Sequence, residues 1–128
     1  MEKIRVAFVG SEERKWSEEQ KRRAKRLIVD IVLSYVALGY DVVVVSGRCP
    51  RGGVDIWAEE IADQLGLSKQ IYPPEKPRWY YYKKRNILIA ENCDVLYDIE
   101  PKGKRSGGTW TMRYAKRLGK PVFLVEID

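Results

Sequence analysis

Apolar residues along the chain alternate between two spacings. Ile4 to Val9 (IRVAFV) is a short run, apolar on both faces, closed by Gly10-Ser11, as suits a buried parallel strand. Ser17-Glu18-Glu19-Gln20 has the form of a capping box. Behind it Ala24, Leu27, Ile28, Ile31, Val32 and Tyr35 recur at helical spacing until Gly39. Asp41 to Val45 predicts a second buried strand, ending at Ser46-Gly47. Val54, Trp57, Ala58, Ile61, Ala62 and Leu65 then predict a helix that stops at Gly66. Gln70 to Tyr72 predicts a short third strand, Trp79 to Asn92 a helix, and Cys93 to Ile99 a fourth strand. Thr109 to Leu118 predicts the last helix and Pro121 to Ile127 the fifth strand.

This βαβαβαβαβ order, with short connections, predicts one α/β domain over residues 1–128. The expected form is a Rossmann-like three-layer α/β/α sandwich with a five-stranded parallel sheet in the order 3-2-1-4-5. In such sheets ligands bind outside the carboxyl ends of the strands, where the strand order reverses. Here that point lies between the first and fourth strands.

Composition narrows the chemistry. The 128 residues include no histidine, which removes Ser-His-Asp and Cys-His catalysis and every His-ligated metal site. The two cysteines, Cys49 and Cys93, form neither a disulfide framework nor a metal-spaced pair, so no metal site is expected and a reducing, cytoplasmic setting is the default. The longest uncharged apolar stretch, Ile31 to Tyr40, is short of the roughly 20 residues a membrane span needs. Asn and Gln together number five, against abundant Lys, Arg and Glu, which leans toward a thermophilic source. The net charge of +6 points to anionic partners. Its densest run, Lys21, Arg22, Arg23, Lys25 and Arg26, falls on the outer arc of the first helix, where Glu18→Arg22 and Glu19→Arg23 pairs would solvate it.

Three strand-to-helix loops end on the same sheet edge and carry small residues: Gly10-Ser11, Ser46-Gly47 through Gly52-Gly53, and Ser106-Gly107-Gly108-Thr109. Glycine admits close backbone approach, and the following helix start offers free N–H groups and a positive dipole end, the ingredients of a phosphate site. Arg48 and Arg51, with Lys102, Lys104 and Arg105, bracket these loops. Neither GxGxxG nor GxxxxGK[ST] is present, so an ordinary NAD-binding domain and a P-loop NTPase are set aside, and no cofactor is implied.

These motifs carry a family resemblance. SGRCPRGGVDIWAEEIADQLG, Ser46 to Gly66, resembles the SGG-x-x-GVD-x-x-A element of the SLOG superfamily. That group includes the lonely-guy-like proteins, the DNA-processing protein A domain and the YspA/YpsA-related branch. RNILIAENCDVLYDIEPKGKRSGGTWTMRYAKRLGKPV, Arg85 to Val122, is similar to the second half of that branch. The resemblance implies a pocket for a nucleotide or nucleotide-derived molecule, often near a homo-oligomer interface. By position it places Gly10 and Ser11 at the pocket base, and Ser46, Gly47, Gly53 and Asp55 in the second motif. Arg85 and Asn86 would reach in from the third helix, and Ser106, Gly107, Gly108 and Thr109 would hold a phosphate. Arg48 and Gly52 complete the candidate ligand-binding set. The phosphoribohydrolase members carry a PGGxGTxxE motif whose Glu takes part in cleaving the N-glycosidic bond. Met112 stands in its place here, with Lys104 and Arg105 at the positions of the proline and of the glycine that follows it. No catalytic residue is assigned, and the expectation tilts from hydrolysis toward binding.

Several residues keep two readings. Asp55 at a helix start either caps N–H groups or bonds a ribose hydroxyl. Arg85 is a surface cation or half of an inward polar pair with Asn86. Glu59 and Glu60 lie off the apolar face and are expected to be solvated. Arg78-Trp79-Tyr80-Tyr81-Tyr82-Lys83-Lys84 suits helix packing, an interface, or base stacking, and Trp110 suits loop packing or a bound base. Single-stranded nucleic acid is thus a possible but less favoured partner than a small nucleotide, with nucleotide N-glycosidic hydrolysis as the enzymatic alternative.

Overall fold

A computed structural model of the chain describes residues 1–128. Its elements are β1 (Lys3–Gly10), α1 (Glu18–Ala37), β2 (Asp41–Ser46), α2 (Val54–Gln64), β3 (Ser68–Ile71), α3 (Trp79–Glu91), β4 (Val95–Pro101), α4 (Gly107–Arg117) and β5 (Val122–Ile127). One 3-10 turn, Glu13–Lys15, lies between β1 and α1 and was not anticipated. All strands are parallel, in the order β3-β2-β1-β4-β5. Register follows the apolar runs, with Val6 opposite Val44 on one side and Val95 on the other.

Because strand side chains alternate in direction, each strand feeds two cores. Val6 and Phe8 of β1 join Ala24, Ile28 and Val32 of α1 and Trp57, Ala58 and Ile61 of α2 on one face. Ala7 and Val9 face the other way, onto Ile89 and Ala90 of α3 and Ala115 of α4. The result is a three-layer α/β/α sandwich, as the alternation of spacings predicts. No helix is long and apolar enough to cross a membrane.

Helix starts obey local chemistry. At α1 the Ser17 hydroxyl accepts from Gln20 N at 3.1 Å, and Gln20 Oε1 accepts from Ser17 N at 3.0 Å, completing the capping box. Of the basic residues of α1, Arg22, Arg23 and Arg26 face outward while Lys21 and Lys25 are half-buried, and their partners differ from those expected. Arg22 pairs with Glu19 and Lys21 with Glu18, both i,i+3, while Arg23 donates to Asp128 O at 2.7 Å. Element ends shift by at most two residues. The α4 start moves from Thr109 back to Gly107 because the Ser106 hydroxyl caps it, accepting from Gly108 N at 3.0 Å.

The sheet edge that carries the loops is tight. A Cβ on Gly10 would fall on Ile99 O, and one on Gly108 would lie 2.6 Å from Gly10 N. The α4 start therefore packs directly on the end of β1, backbone to backbone. Gly108→Ala is expected to destabilise the fold by about 1–3 kcal/mol through overpacking. This should register as a lower urea midpoint with an unchanged m-value.

Candidate functional site

At the β1/β4 switch point the loops enclose a cavity of about 290 Å³. Its floor is Val9, Gly10 and Ile89. One wall is the β1 loop (Glu12, Arg14, Lys15) with Cys49, Arg51 and Asp55. The opposite wall is α3 (Trp79, Tyr82, Arg85, Asn86) and the α4 start (Ser106, Gly107, Gly108). The spacing of Tyr82, Arg85, Asn86 and Ile89 puts all four on one face of α3.

Arg85 organises the centre. It is buried, 9% exposed. Its guanidinium donates to Gly47 O and, at 2.6 Å, to Asn86 Oδ1, and lies 3.8 Å from Asp55 Oδ2. It also stacks over Tyr82, 5.3 Å from the ring centroid. A side chain at Gly47 would collide with it, which accounts for the glycine there. Asp55 is buried at the first turn of α2 and accepts from Cys49 N at 3.2 Å. Burial pushes its pKa up to about 6, against the opposing pull of Arg85. Burial likewise raises the Cys49 thiol. Glu12, held by Arg14 and 3.5 Å from Arg51, lies below the usual carboxylate range, chiefly through its hydrogen bond to Arg14.

Beneath the α4 start sits a second polar layer that the sequence reading did not foresee. Asp98 and Glu100 of β4 are fully buried. Glu100 accepts from Ser11 Oγ and, at 2.7 Å, from Ser106 Oγ. Thr109 Oγ1 lies 2.9 Å from Asp98 Oδ2 and 3.5 Å from Glu100 Oε2. Burial, then hydrogen bonding to Glu100 and its charge, raises the Asp98 pKa well above the carboxylate range. Asp98 Oδ1 meets no donor, which fits a carboxyl that keeps its proton.

The expected site residues thus divide. Gly10, Asp55, Arg85, Asn86, Ser106, Gly107 and Gly108 line the cavity. Ser11 and Thr109 lie behind it, turned to the buried carboxyls. Gly53, with φ +92°, packs on Ser11 O and Glu12, and Gly52 on Glu13, so both shape the wall from outside. Ser46 and Arg48 face away. Glu59 is not solvated, as the helix pattern suggested, but 7% exposed: Ser46 Oγ lies 3.1 Å from its carboxylate and Arg48 binds it at 3.0 Å. The helical wheel misplaced it because a loop arginine folds back over that flank. Glu60 is exposed as expected.

The loop cations are also less free than their spacing implied. Arg51 meets Glu12, Lys102 meets Asp128 at 3.2 Å, and Arg105 meets Glu126 at 3.4 Å, while Lys104 donates to Lys15 O at 2.7 Å. Six lining residues that were not in the expected set, Glu12, Arg14, Lys15, Val9, Cys49 and Ile89, had only positional signals. The first three follow the end of the central strand at the switch point, where loops line the crevice. Trp79 and Tyr82 stood out in composition but not as pocket residues, and Arg51 was marked only as a cation beside the glycine loops. Trp110 packs between Trp79 and Tyr114, at 5.7 and 5.4 Å between centroids.

No family model matches the chain, and no curated protein matches it. Solved structures do. The molybdenum cofactor carrier protein of Chlamydomonas reinhardtii has a TM-score of 0.69 at 18% identity, over 95% of this chain and 75% of its own. A predicted tRNA methyltransferase subunit from Methanocaldococcus jannaschii has a TM-score of 0.44 at 14% identity, over 99% and 68%. The chain has a Rossmann-like α/β fold. At this identity the first likeness is one of fold, and the second is too distant to carry an argument.

The Asp98 proton has a measurable consequence. The folded chain holds it while the unfolded chain releases it near 3.8, so the contribution of this one group to stability is fully present below that pH and declines as pH rises toward the folded value. Asp98→Asn keeps the shape and supplies a permanent donor. Its urea midpoint should equal or exceed that of the wild type at about pH 8, with the advantage shrinking toward about pH 5.

Proposed function

We propose that this chain is a SLOG-type domain that binds a nucleotide or nucleotide-derived small molecule in the switch-point cavity. One observation carries the reading: a single cavity combines the N-terminus of α4, a buried Arg85–Asn86 pair and the aromatic rings of Trp79 and Tyr82. A helix start and an arginine suit a phosphoryl group, aromatic rings suit a base, and Asp55 and Glu12 offer acceptors for ribose hydroxyls. The volume suits a small ligand. The fold supports the placement, since open parallel sheets bind ligands at this point. The carrier protein that shares the fold is named for a molybdenum cofactor, and a cargo of that kind belongs among the candidate ligands.

A second reading rests on Asp55. A carboxyl in the cavity with a pKa of about 6 is suited to general acid–base work, whereas Glu59 is sealed away by Ser46 and Arg48. Met112 packs against the core and supplies no acid. Cleavage of an N-glycosidic bond would then depend on Asp55.

Thermal denaturation with nucleoside monophosphates, ADP-ribose and dinucleotides tests the first reading. A ligand at about a hundredfold excess over Kd should add about 2.7 kcal/mol and raise Tm. A flat response across the whole panel would remove the reading. Incubation with nucleoside monophosphates tests the second: free base should accumulate, and Asp55→Asn should stop it.

A further inference from the structure

The uncompensated charge of this molecule lies away from the helix and loops where its basic runs stand out. Each cation of α1 has a partner. Lys21, Arg22 and Arg26 meet carboxylates, Arg23 donates to Asp128 O, and Lys25 lies over the Trp57 ring. The cations beside the glycine loops are held by Glu12, Glu59, Glu126 and Asp128. The opposite layer differs. Residues 75–91 and 107–120, which are α3 and α4 with their flanks, carry nine basic and two acidic side chains. Their net charge of +7 exceeds the +6 of the whole chain, so the rest of the molecule is close to neutral.

The two helices cover the same face of the sheet. Ile89 and Ala90 of α3 and Ala115 of α4 pack on Ala7 and Val9, so the outer surfaces of both helices form one side of the molecule. Seven of the nine cations are exposed there, and of those only Lys84 comes near a carboxylate, 3.9 Å from Glu75. Lys76, Lys83 and Arg117 lie over the rings of Tyr81, Trp110 and Tyr114, at 5.7, 6.0 and 5.8 Å from the centroids. A ring attracts a cation but leaves its charge whole. Trp110 bridges the helices, with the Trp79 ring perpendicular to it at 5.7 Å and the Tyr114 ring stacked on it at 5.4 Å. Tyr80 stands proud of this layer, 68% exposed, with its ring edge-to-face against Tyr81.

We propose that the outer α3–α4 face binds single-stranded nucleic acid, its free cations taking the phosphates and Tyr80 offering a platform on which a base stacks. A row of unneutralised cations suits a polyanion, and aromatic rings set among them suit unpaired bases of any sequence. A duplex hides its base faces, and α3 and α4 lie flat on the sheet, so neither projects into a groove. A lipid surface calls for an apolar anchor, whereas Leu88 and Leu118 are the only exposed aliphatic side chains on these helices. The face lies outside the cavity, and the inference stands apart from the nucleotide reading.

Fluorescence anisotropy of labelled oligothymidylate and oligouridylate, each of about twelve nucleotides, tests it at low salt. The wild type should bind at least one of them, and its affinity should fall steeply as salt rises. Arg113→Gln with Lys116→Gln should weaken binding and make the plot of log affinity against log salt shallower by about 1, since each phosphate contact in a single strand contributes about 0.7. Tyr80→Ala should weaken binding about tenfold and leave that slope unchanged. Arg22→Gln with Arg26→Gln removes the same charge from α1 and should change neither quantity. All five side chains are exposed, so the variants should keep the fold. An excess of nucleoside monophosphate should leave the oligonucleotide bound, whatever the cavity takes. The proposal is overturned if neither oligonucleotide binds the wild type, or if the α1 pair costs as much as the α4 pair. Displacement by the monophosphate would assign the binding to the cavity instead. Equal affinity for a duplex, with no effect of Tyr80→Ala, would reduce the face to a phosphate contact and remove the single-strand assignment. Binding to phosphatidylserine vesicles without binding to oligonucleotides would give the face to a membrane surface.

Discussion

A buried carboxyl pair holds the loop-bearing edge of this sheet together. Asp98 and Glu100 project from β4 into a region with no solvent, and burying two bare charges there would be prohibitive. The structure answers with a proton kept on Asp98 and with hydroxyls from three residues. Ser11 belongs to the β1 loop, and Ser106 and Thr109 belong to the first turn of α4. One polar knot therefore fixes the end of β4, the exit from β1 and the start of α4 relative to one another. The backbone contact between Gly10 and Gly108 closes the same junction from the cavity side. Everything at the switch point is referred to this knot.

The knot also changes what the Gly-rich turn offers. A Ser-Gly-Gly-Thr turn at a helix start has the look of a phosphate cradle lined by hydroxyls. Here those hydroxyls are turned inward and serve the carboxyls, leaving backbone N–H and the helix dipole on the cavity side. The basic residues follow a similar course. Each loop cation has found a carboxylate or a carbonyl, and the cavity lining sets Arg14, Lys15, Arg51 and Arg85 against Glu12 and Asp55. The one cation fully committed to the site is Arg85, and it is buried among partners.

Much of the fold was legible along the chain because its signals are local. Strand runs apolar on both faces, i,i+4 apolar spacing in α1 and α2, and a capping box at Ser17 each depend on neighbours a few residues away. The site was legible in part. Asp55, Arg85, Asn86 and the small residues at loop ends were marked by type and place. Glu59 was misplaced because its environment is set by Ser46 and Arg48, from a different loop. Tyr82 was visible as part of an aromatic-basic run, but nothing local separates the tyrosine that enters the cavity from Tyr80, which stays 68% exposed.

Local sequence was enough to give the element types, the parallel sheet and the edge on which the glycine-bearing loops gather. Hydrophobic period and helix-end chemistry are properties of short segments, and right-handed crossover connections leave few topologies open. Tertiary structure alone decided which polar groups are spent and which are free. Pairing between Glu100 and Ser11, or between Arg85 and Gly47, joins residues 89 and 38 positions apart. A hydrogen bond made there removes a donor from the cavity just as surely as a mutation would. Composition counts donors and charges. Only the fold reveals which of them remain unpaired.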